Sequence, residues 1–216
     1  MSGLQLSPNC DDMKGAINAA VRSVRNLNRP SKATNSRLLR ARGETAASLV
    51  IRDAAASDTP ALARLHVTTW NATHGHGPNG PTYELRERQW REAFSHDDGT
   101  WFCLVIERAT GELVGFAKGA RYAHNDLPEF SGELNKIYLL REYQRVGLGR
   151  RLVGHVARRF LDRGIGSMVL FGDARNPSCA AWDALDGERL YGPTGEFGGG
   201  YGWRDLRRLV LKCPAD

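Results

Sequence analysis

Residues 144–151 (QRVGLGRR) have the types and spacing expected of a phosphate-binding turn. They lie between an apolar segment, residues 134–140, and an amphipathic one that runs from about 148 to 161. Glycines let the backbone approach an anion closely, and the first amides of a helix point at it without intrahelical partners. The helix dipole adds roughly half a positive charge, and the three arginines of the run add full charges. The segment predicts a strand, a turn and a helix that bind a pyrophosphate-bearing ligand.

Two common phosphate loops do not fit this spacing. A Walker A loop needs Gly-x-x-x-x-Gly-Lys-Ser/Thr, and no glycine of the chain is followed by Lys-Ser or Lys-Thr. A dinucleotide fingerprint needs Gly or Ala three residues after its second glycine, where this chain has Leu152. Taken alone, a Gly-x-Gly turn is also compatible with a tight strand-to-helix connection whose arginines are solvated. The surrounding sequence must distinguish this from a phosphate-binding loop.

Two longer segments resemble the signatures of one enzyme family. Residues 133–152 (ELNKIYLLREYQRVGLGRRL) resemble motif A of the GNAT acyltransferase superfamily, in which a strand ends in a Gln/Arg-x-x-Gly-x-Gly/Ala loop. Residues 176–187 (NPSCAAWDALDG) resemble its second signature, roughly Asn-Pro-x-x-x-Phe-Tyr-Glu-x-Leu-Gly-Gly. The resemblance extends from about Ser48 to Leu211. It implies an α/β fold with a central twisted mixed β-sheet flanked by helices, and acetyl-CoA as co-substrate.

The resemblance also implies which residues hold acetyl-CoA. The pyrophosphate is expected on the loop and the pantetheine arm against the backbone of the preceding strand. The expected cofactor-binding residues are Ile137, Tyr138, Leu139, Gln144, Arg145, Val146, Gly147, Leu148, Gly149, Arg150, Asn176, Ser178 and Trp182. A backbone amide between Tyr138 and Leu140 is expected to face the thioester carbonyl, where one donor contributes ~3 kcal/mol in a dry site.

Acetylation of an amine needs a group that removes a proton, because an alkyl ammonium has a pKa near ~10. Glu133 is the leading candidate for this catalytic role. It begins the strand that leads into the loop, 14 residues before Gly147, where some members of the family carry a catalytic glutamate. His124, Asp126 and Glu129 in the preceding loop are alternatives, and Glu133 could instead be a solvated residue at a strand end.

The second signature departs from the family at a tyrosine that commonly protonates the leaving thiolate. Trp182 occupies that position, and an indole N–H donates a hydrogen bond but cannot supply a proton near neutral pH. A shift of one residue would place Asp183 there instead. We therefore expect Trp182 to pack beside the thiol end of the cofactor. Water or another hydroxyl would serve the thiolate, since a thiol pKa of ~8.5 makes it a tolerable leaving group.

Composition is that of a globular protein of one domain. A chain of 216 residues with 41% apolar residues can bury a sizeable core, and no apolar run approaches the ~20 residues that span a bilayer. We expect a soluble, cytoplasmic protein with no membrane partner. The four cysteines lack Cys-x-x-Cys spacing, which favours reduced thiols. His74 and His76 have no further ligand at suitable spacing, so a loop without a metal is predicted there.

Charge divides the chain into two parts. Residues 1–45 hold eight basic and three acidic residues, a net charge of +5, whereas residues 46–216 hold 22 and 21, a net charge of +1. The first part is predicted to be a basic N-terminal extension, disordered from about 26 to 45. Its arginines could alternatively belong to a transit peptide, a membrane-surface helix or a nucleic-acid arm. The second part is the predicted acyltransferase domain.

Periodicity and turn signals predict the elements of this domain. Strands are expected at 47–53, 101–107, 112–121, 133–140 and 167–171, and helices at 57–70, 83–94, 148–161 and 177–185. Two more strands are expected between Arg189 and Leu211, around the glycines at 198–200. The early strands are predicted to be antiparallel, and the pair connected by the helix after the phosphate loop parallel.

The sequence therefore predicts an N-acetyltransferase that acts on a primary amine of a small molecule by direct attack in a ternary complex. His66 and Trp70 are expected to line the acceptor pocket or to pack against the sheet, His74 and Tyr83 to help cap the acceptor, and residues 198–203 to shape its far side. The near-neutral domain disfavours a strongly charged polymer as acceptor, while peptide N-termini stay open. A non-catalytic acyl-CoA-binding protein and a nucleic-acid-associated factor are the alternatives. The resemblance suggests a homodimer.

Overall fold

The computed structural model describes residues 31–75, 77 and 80–213. Within these residues the chain forms six α-helices and seven β-strands. The helices are α1 (Lys32–Ala41), α2 (Thr59–His74), α3 (Tyr83–Ser95), α4 (Leu148–Asp162), α5 (Cys179–Asp183) and α6 (Leu206–Lys212). The strands are β1 (Val50–Asp53), β2 (Trp101–Glu107), β3 (Leu113–Arg121), β4 (Gly132–Leu139), β5 (Met168–Phe171), β6 (Glu188–Tyr191) and β7 (Phe197–Trp203).

The strands of the described chain form one mixed sheet in the order β1-β2-β3-β4-β5-β7-β6. Neighbouring strands are antiparallel except β4 and β5, which are parallel and are connected through α4. The pairing of β4 with β5 is confined to Gly132–Met168 and Glu133–Val169. Beyond Glu133 the two strands separate, and the edge of β4 that faces β5 continues without a strand partner. The predicted fold class is confirmed.

Helices cover both faces of the sheet. On one face, α4 repeats apolar residues at helical spacing and buries them, among them Leu148, Leu152 and Phe160. On the other face, α2 and α3 bury Leu62 and Trp90 against β2 and β3. We refer to these as the α4 face and the α2–α3 face. None of the helices in the described ranges is long and apolar enough to cross a membrane.

A β-bulge in β4 interrupts its ladder with β3. Lys118 of β3 pairs with Lys136, but the next residue, Gly119, pairs with Leu134. Asn135 is therefore an extra residue without a partner opposite it. Because side chains alternate between the two faces of a strand, one extra residue reverses the alternation on one side of the bulge.

The bulge brings Glu133 to the α2–α3 face. Glu133 pairs with Ala120, which packs with the α2–α3 core. Tyr138 lies on the same face, with its ring against Phe116 (centroids 5.5 Å apart). Strict alternation along β4 would have placed Glu133 and Tyr138 on opposite faces. The carboxylate at the start of β4 and the ring near its end thus share one surface.

The predicted disorder of residues 26–45 is wrong for the part that the structure describes. The Ser31 side chain caps α1 by accepting a hydrogen bond from the Thr34 amide (3.1 Å). Asn35 and Leu39, one turn apart, are buried against the domain. A short helix of low apolar content is stabilised mainly by such tertiary contacts, which local composition does not reveal. The remainder of the basic extension, residues 1–30, lies outside the described residues.

The prediction for the C-terminal region is correct only in part. Strands β6 and β7 are present, but glycines 198–200 lie inside β7 and do not form the turn between the strands. The segment after β7 is helix α6, not strand. The Asp205 side chain caps it by accepting from the Arg207 amide (3.0 Å), and Leu206 and Leu209 bury its apolar side. The cap and the three-residue spacing are helix signals that the sequence contained.

Candidate functional site

The loop between β4 and α4 has the geometry of an anion-binding turn. Gly147 is the N-cap of α4 at φ 95°, and Arg145 is also left-handed at φ 64°. Gly147 provides no capping side chain, and Arg151 donates its amide to the Gly147 carbonyl (3.0 Å). The amides of residues 148–150 have no acceptor within the helix and point out of its N-terminus, as an anion requires.

The space in front of this loop is open. A Cβ atom added at Gly147 would meet nothing within 4 Å, and one at Gly149 would meet only Leu139 Cδ1, at 3.5 Å. A side chain at Gly147 would also strain its left-handed backbone. Gly149, in contrast, lies within α4, so a side chain there would fill the anion space without straining the chain.

The free edge of β4 offers backbone groups that lead into the loop. Leu140 donates its amide to a carbonyl of β3 (2.9 Å), and hydrogen bonding alternates between the two sides of a strand. Tyr138 therefore also directs its backbone to β3, and Ile137 and Leu139 direct theirs to the free edge. This corrects the expectation of a backbone contact at Tyr138. Of the amides between Tyr138 and Leu140, that of Leu139 is the one free to meet an oxyanion.

Two amide side chains hold the loop in place. Gln144 Nε2 donates to the Leu139 carbonyl (2.9 Å), which ties the loop to the end of β4. Asn35 Nδ2 donates to the carbonyls of Arg141 and Gln144, at 2.7 Å each. Asn35 is fully buried, so α1 supports the phosphate loop from behind. Asn35 lies in a segment that was predicted to be disordered, and no sequence motif marked it as functional.

The arginines of the loop have different surroundings. Arg145 and Arg150 are exposed beside the helix N-terminus. Arg151 instead donates Nη1 to the carbonyls of Ala46 and Leu49, at 2.8 Å each. Arg151 therefore stabilises the segment before β1. Its position in the motif suggested that its charge would contribute to the anion site, and in this structure it does not.

The turn after β5 and helix α5 contain the second signature. The Asn176 side chain accepts a hydrogen bond from the Ser178 amide (3.0 Å), which shapes the turn. The Trp182 ring lies edge-on to Trp203 (centroids 6.3 Å apart) and packs at the margin of the α4-face core. This arrangement agrees with a packing role for Trp182.

Neither polar group beside Trp182 is suited to give a proton to a thiolate. Arg189 holds the Asp183 carboxylate at 2.8 and 3.0 Å, and this hydrogen bonding lowers the pKa of Asp183. The Tyr201 hydroxyl donates to Asp183 (3.1 Å), and burial raises the pKa of Tyr201 to about 12. The alternative of Asp183 as a general acid is therefore disfavoured.

Glu133 stands where β4 and β5 separate. It is half-buried, and its Oε1 accepts from Asn135 Nδ2 (3.0 Å). The three alternative bases are exposed on the loop before β4. Asp126 accepts a hydrogen bond from a tyrosine hydroxyl (2.7 Å), and Glu129 accepts one from an arginine (3.2 Å). His124 lies two residues before Asp126. Glu133 is the carboxylate that this geometry favours as the base.

His66 packs against the sheet. It is 2% exposed and contacts the rings of Phe116 and Tyr138, both with centroids at 5.3 Å, and of Trp90 at 6.2 Å. Burial lowers its pKa to about 2, so the imidazole is neutral. Its Nδ1 is buried without a hydrogen-bond partner.

The other predicted acceptor residues divide between surface and core. Trp70 and His74 are partly exposed at the end of α2, with ring centroids 4.8 Å apart, and Tyr83 begins α3. Tyr201 and Trp203 are buried in the core. The expectation that residues 198–203 shape the far side of the acceptor site is therefore wrong for these two rings. His76 lies outside the described residues.

Comparison with known proteins identifies the family. The model of the Acetyltransferase (GNAT) family matches residues 59–185. The uncharacterized N-acetyltransferase YuaI of Bacillus subtilis (strain 168) is 30% identical over 172 residues, which cover 74% of this chain and 96% of that protein. The chain belongs to the GNAT family. It is an acetyltransferase, and GNAT enzymes use acetyl-CoA as donor.

Solved GNAT structures share this fold. The PaiA N-acetyltransferase from Thermoplasma acidophilum, in complex with coenzyme A, is 18% identical with a TM-score of 0.52, covering 72% of this chain and 98% of that one. A phosphinothricin acetyltransferase from Sinorhizobium meliloti, in complex with AcCoA, is 20% identical with a TM-score of 0.54, covering 72% and 86%. Helix α1 precedes the residues that the family model matches.

Proposed function

We propose that this GNAT enzyme transfers the acetyl group of acetyl-CoA to a primary amine of a small molecule by direct attack in a ternary complex. The observation that carries the proposal is the free edge of β4, which runs from Glu133 into the phosphate loop. A base, an oxyanion donor and an anion site follow one another along this line. A thioester, its pantetheine arm and its pyrophosphate require the same order.

The residues present fit the donor. The pyrophosphate would lie on the amides of residues 146–150, beside the charges of Arg145 and Arg150, in the open space in front of Gly149. The pantetheine arm carries amides of its own, which can pair with backbone groups between the oxyanion donor at Leu139 and the phosphate loop. Asn176, Ser178 and Trp182 would border the donor on the side of β5.

The chemistry follows from these positions. Acetyl-CoA supplies an activated thioester. The amine lone pair attacks its carbonyl carbon, a C–N bond forms, and the C–S bond breaks with release of the CoA thiolate. Glu133 accepts the proton that the nitrogen loses, and the Leu139 amide donates to the oxyanion. The thiolate takes a proton from water, because Asp183 is ionised and Trp182 has no acidic proton.

The charge of the domain favours a small acceptor. Residues 46–216 have a net charge of +1, which gives no field for a long charged polymer. Trp70 and His74 at the end of α2 would border the acceptor; His74 lies near enough to Asp173, in the turn after β5, for their charges to interact. A cytoplasmic location, expected from the reduced cysteines, belongs to the same proposal.

The test is acetyl-CoA turnover over a panel of amines, amino acids and aminoglycosides, read by thiol release and by the mass of the N-acetyl product. Initial rates measured at several concentrations of both substrates should give intersecting double-reciprocal lines. Parallel lines would contradict direct attack and indicate an acetylated enzyme. Absence of an N-acetyl product from every amine, with CoA still bound, would favour the non-catalytic alternative.

A further inference from the structure

Three basic side chains converge on the α2–α3 face next to Glu133. Lys118 of β3 and Lys136 of β4 lie directly opposite each other, and Arg86 of α3 is near enough for its charge to act on Lys136 and on Tyr138. Lys118 Nζ lies over the rings of Trp101 (4.6 Å) and Trp90 (5.9 Å). All three basic side chains are half-buried, so each keeps a route to solvent. We call Lys118, Lys136 and Arg86 the basic triad.

The basic triad has too little negative charge around it. In the described part of the chain the hydrogen bonds of the triad go to neutral amide side chains and none of the three forms a salt bridge, and Glu133 is the one carboxylate whose charge acts on both lysines. Lys136 Nζ donates only to the neutral side chain of Asn135 (2.6 Å). Half-buried cations without paired anions are costly, because the aromatic rings over Lys118 and the neutral amide beside Lys136 replace only part of the hydration that burial removes.

Polar atoms near the basic triad also lack hydrogen-bond partners. Arg86 Nε, His66 Nδ1 and Trp90 Nε1 are all buried without a hydrogen-bond partner. His66 and Trp90 are 2% and 4% exposed and lie with their rings 6.2 Å apart. Desolvation lowers the pKa of Lys136 to about 8 and also lowers the pKa values of Lys118 and Arg86. The unpaired N–H donors of Arg86 and Trp90, together with cations whose pKa values are lowered, indicate a missing hydrogen-bond acceptor with negative charge.

We propose that the basic triad binds an oxyanion of the acceptor, so that the substrate is an amine that also carries a carboxylate or a similar anionic group. This inference rests on the proposed acetyl transfer to a small amine. Glu133 lies on the same face, and its negative charge interacts with both lysines. A substrate anchored by its anion would therefore present its amine to Glu133.

The positive surroundings also serve the reaction. An ammonium beside three cations is disfavoured relative to the neutral amine, which is the form that attacks the thioester. The anion of the same substrate compensates the triad and keeps the molecule bound. An amine without an anion would gain no such compensation.

The experiment compares matched acceptors that differ in charge. L-amino acids, their α-amides and 2-aminoethylphosphonate are assayed for acetylation, together with binding of N-acetyl amino acids and N-acetyl amino amides to the CoA-loaded protein by calorimetry. We expect kcat/KM for the best acid to exceed that of its amide by about tenfold to a hundredfold, as for the loss of a hydrogen bond between charged groups. The phosphonate arm distinguishes a general oxyanion site from one shaped for a carboxylate.

Variants assign the preference to the basic triad. Lys136→Met and Arg86→Gln should each reduce the acid-to-amide ratio toward one, and Lys136→Arg should restore most of it. Arg88→Gln, an exposed arginine of the same helix, is the matched control and should leave the ratio unchanged. Unaltered CoA affinity in each variant shows that the fold is retained.

The outcomes separate the two proposals. Turnover of amines with an equal preference for acids and amides overturns the oxyanion site and leaves the acetyltransferase proposal intact. Absence of turnover with every amine overturns the proposed function. The calorimetry still decides in that case, since equal binding of the N-acetyl acid and its amide would overturn the oxyanion site as well.

Discussion

Replacement of Asn35 by leucine should weaken acetyl-CoA binding although Asn35 would not touch the donor. Asn35 Nδ2 donates to the carbonyls of Arg141 and Gln144, and these bonds hold the segment that sets the left-handed turn at Arg145. Leucine has a similar volume and no donor. The loop amides should then lose their fixed orientation, and the anion should have to order them on binding.

The expected magnitude follows from two opposing terms. Each hydrogen bond contributes about 1 kcal/mol net, so loss of both favours release of the loop by about 2 kcal/mol, a factor of about 30. Asn35 Oδ1, however, is buried without a partner, which costs about 1–3 kcal/mol in the native protein. Leucine removes this cost. The free energy of unfolding should therefore change little, while the Kd for acetyl-CoA should rise several-fold to about 30-fold.

The assay is isothermal calorimetry of acetyl-CoA binding, with thermal unfolding of the same samples. Arg37→Ala, an exposed residue of the same helix, serves as control and should match the native protein in both measurements. If Asn35→Leu binds acetyl-CoA within twofold of the native Kd and unfolds at the same temperature, the argument that α1 positions the loop is wrong.

Three further predictions concern the site itself. Gly149→Val should raise the KM for acetyl-CoA at least tenfold with little effect on Tm, because its Cβ has room in the free protein but enters the proposed phosphate space; a KM within twofold would refute that placement. Glu133→Gln should lower kcat/KM most at low pH, where the unprotonated amine is scarce, and an unchanged pH–rate profile would transfer the role of base to another group or to water. Trp182→Phe and Trp182→Tyr should behave alike, each losing at most a few-fold; a dead Phe variant beside a fully active Tyr variant would show that a hydrogen bond from this position is essential.

The sequence predicted the local features of the site well. The helix after the phosphate loop was expected at 148–161 and is observed at Leu148–Asp162. Its apolar spacing and its glycine N-terminus are both local signals. The hairpin of β2 and β3 was also predicted nearly to the residue, since its turn is marked by Gly111. Where a short stretch of chain determines the structure, the sequence was sufficient.

Features that depend on distant contacts were not predictable in this way. The bulge at Asn135 moves Glu133 to the face of Tyr138, and it exists only through the register of β4 with β3. Lys118 and Lys136 face each other for the same reason, although they are 18 residues apart in sequence. Helix α1 was missed because its stability depends on the burial of Asn35 against a loop about a hundred residues away.

The central claim is that acetyl-CoA lies along the free edge of β4 with its pyrophosphate on the loop. Amide chemical shifts of the ¹⁵N-labelled protein, followed during titration with acetyl-CoA, test it most directly. The account predicts that the largest shifts fall on residues 146–150 and on Leu139, and that Leu140, whose amide is bonded to β3, shifts less. Saturable binding that leaves the amides of 146–150 and Leu139 unmoved would contradict it.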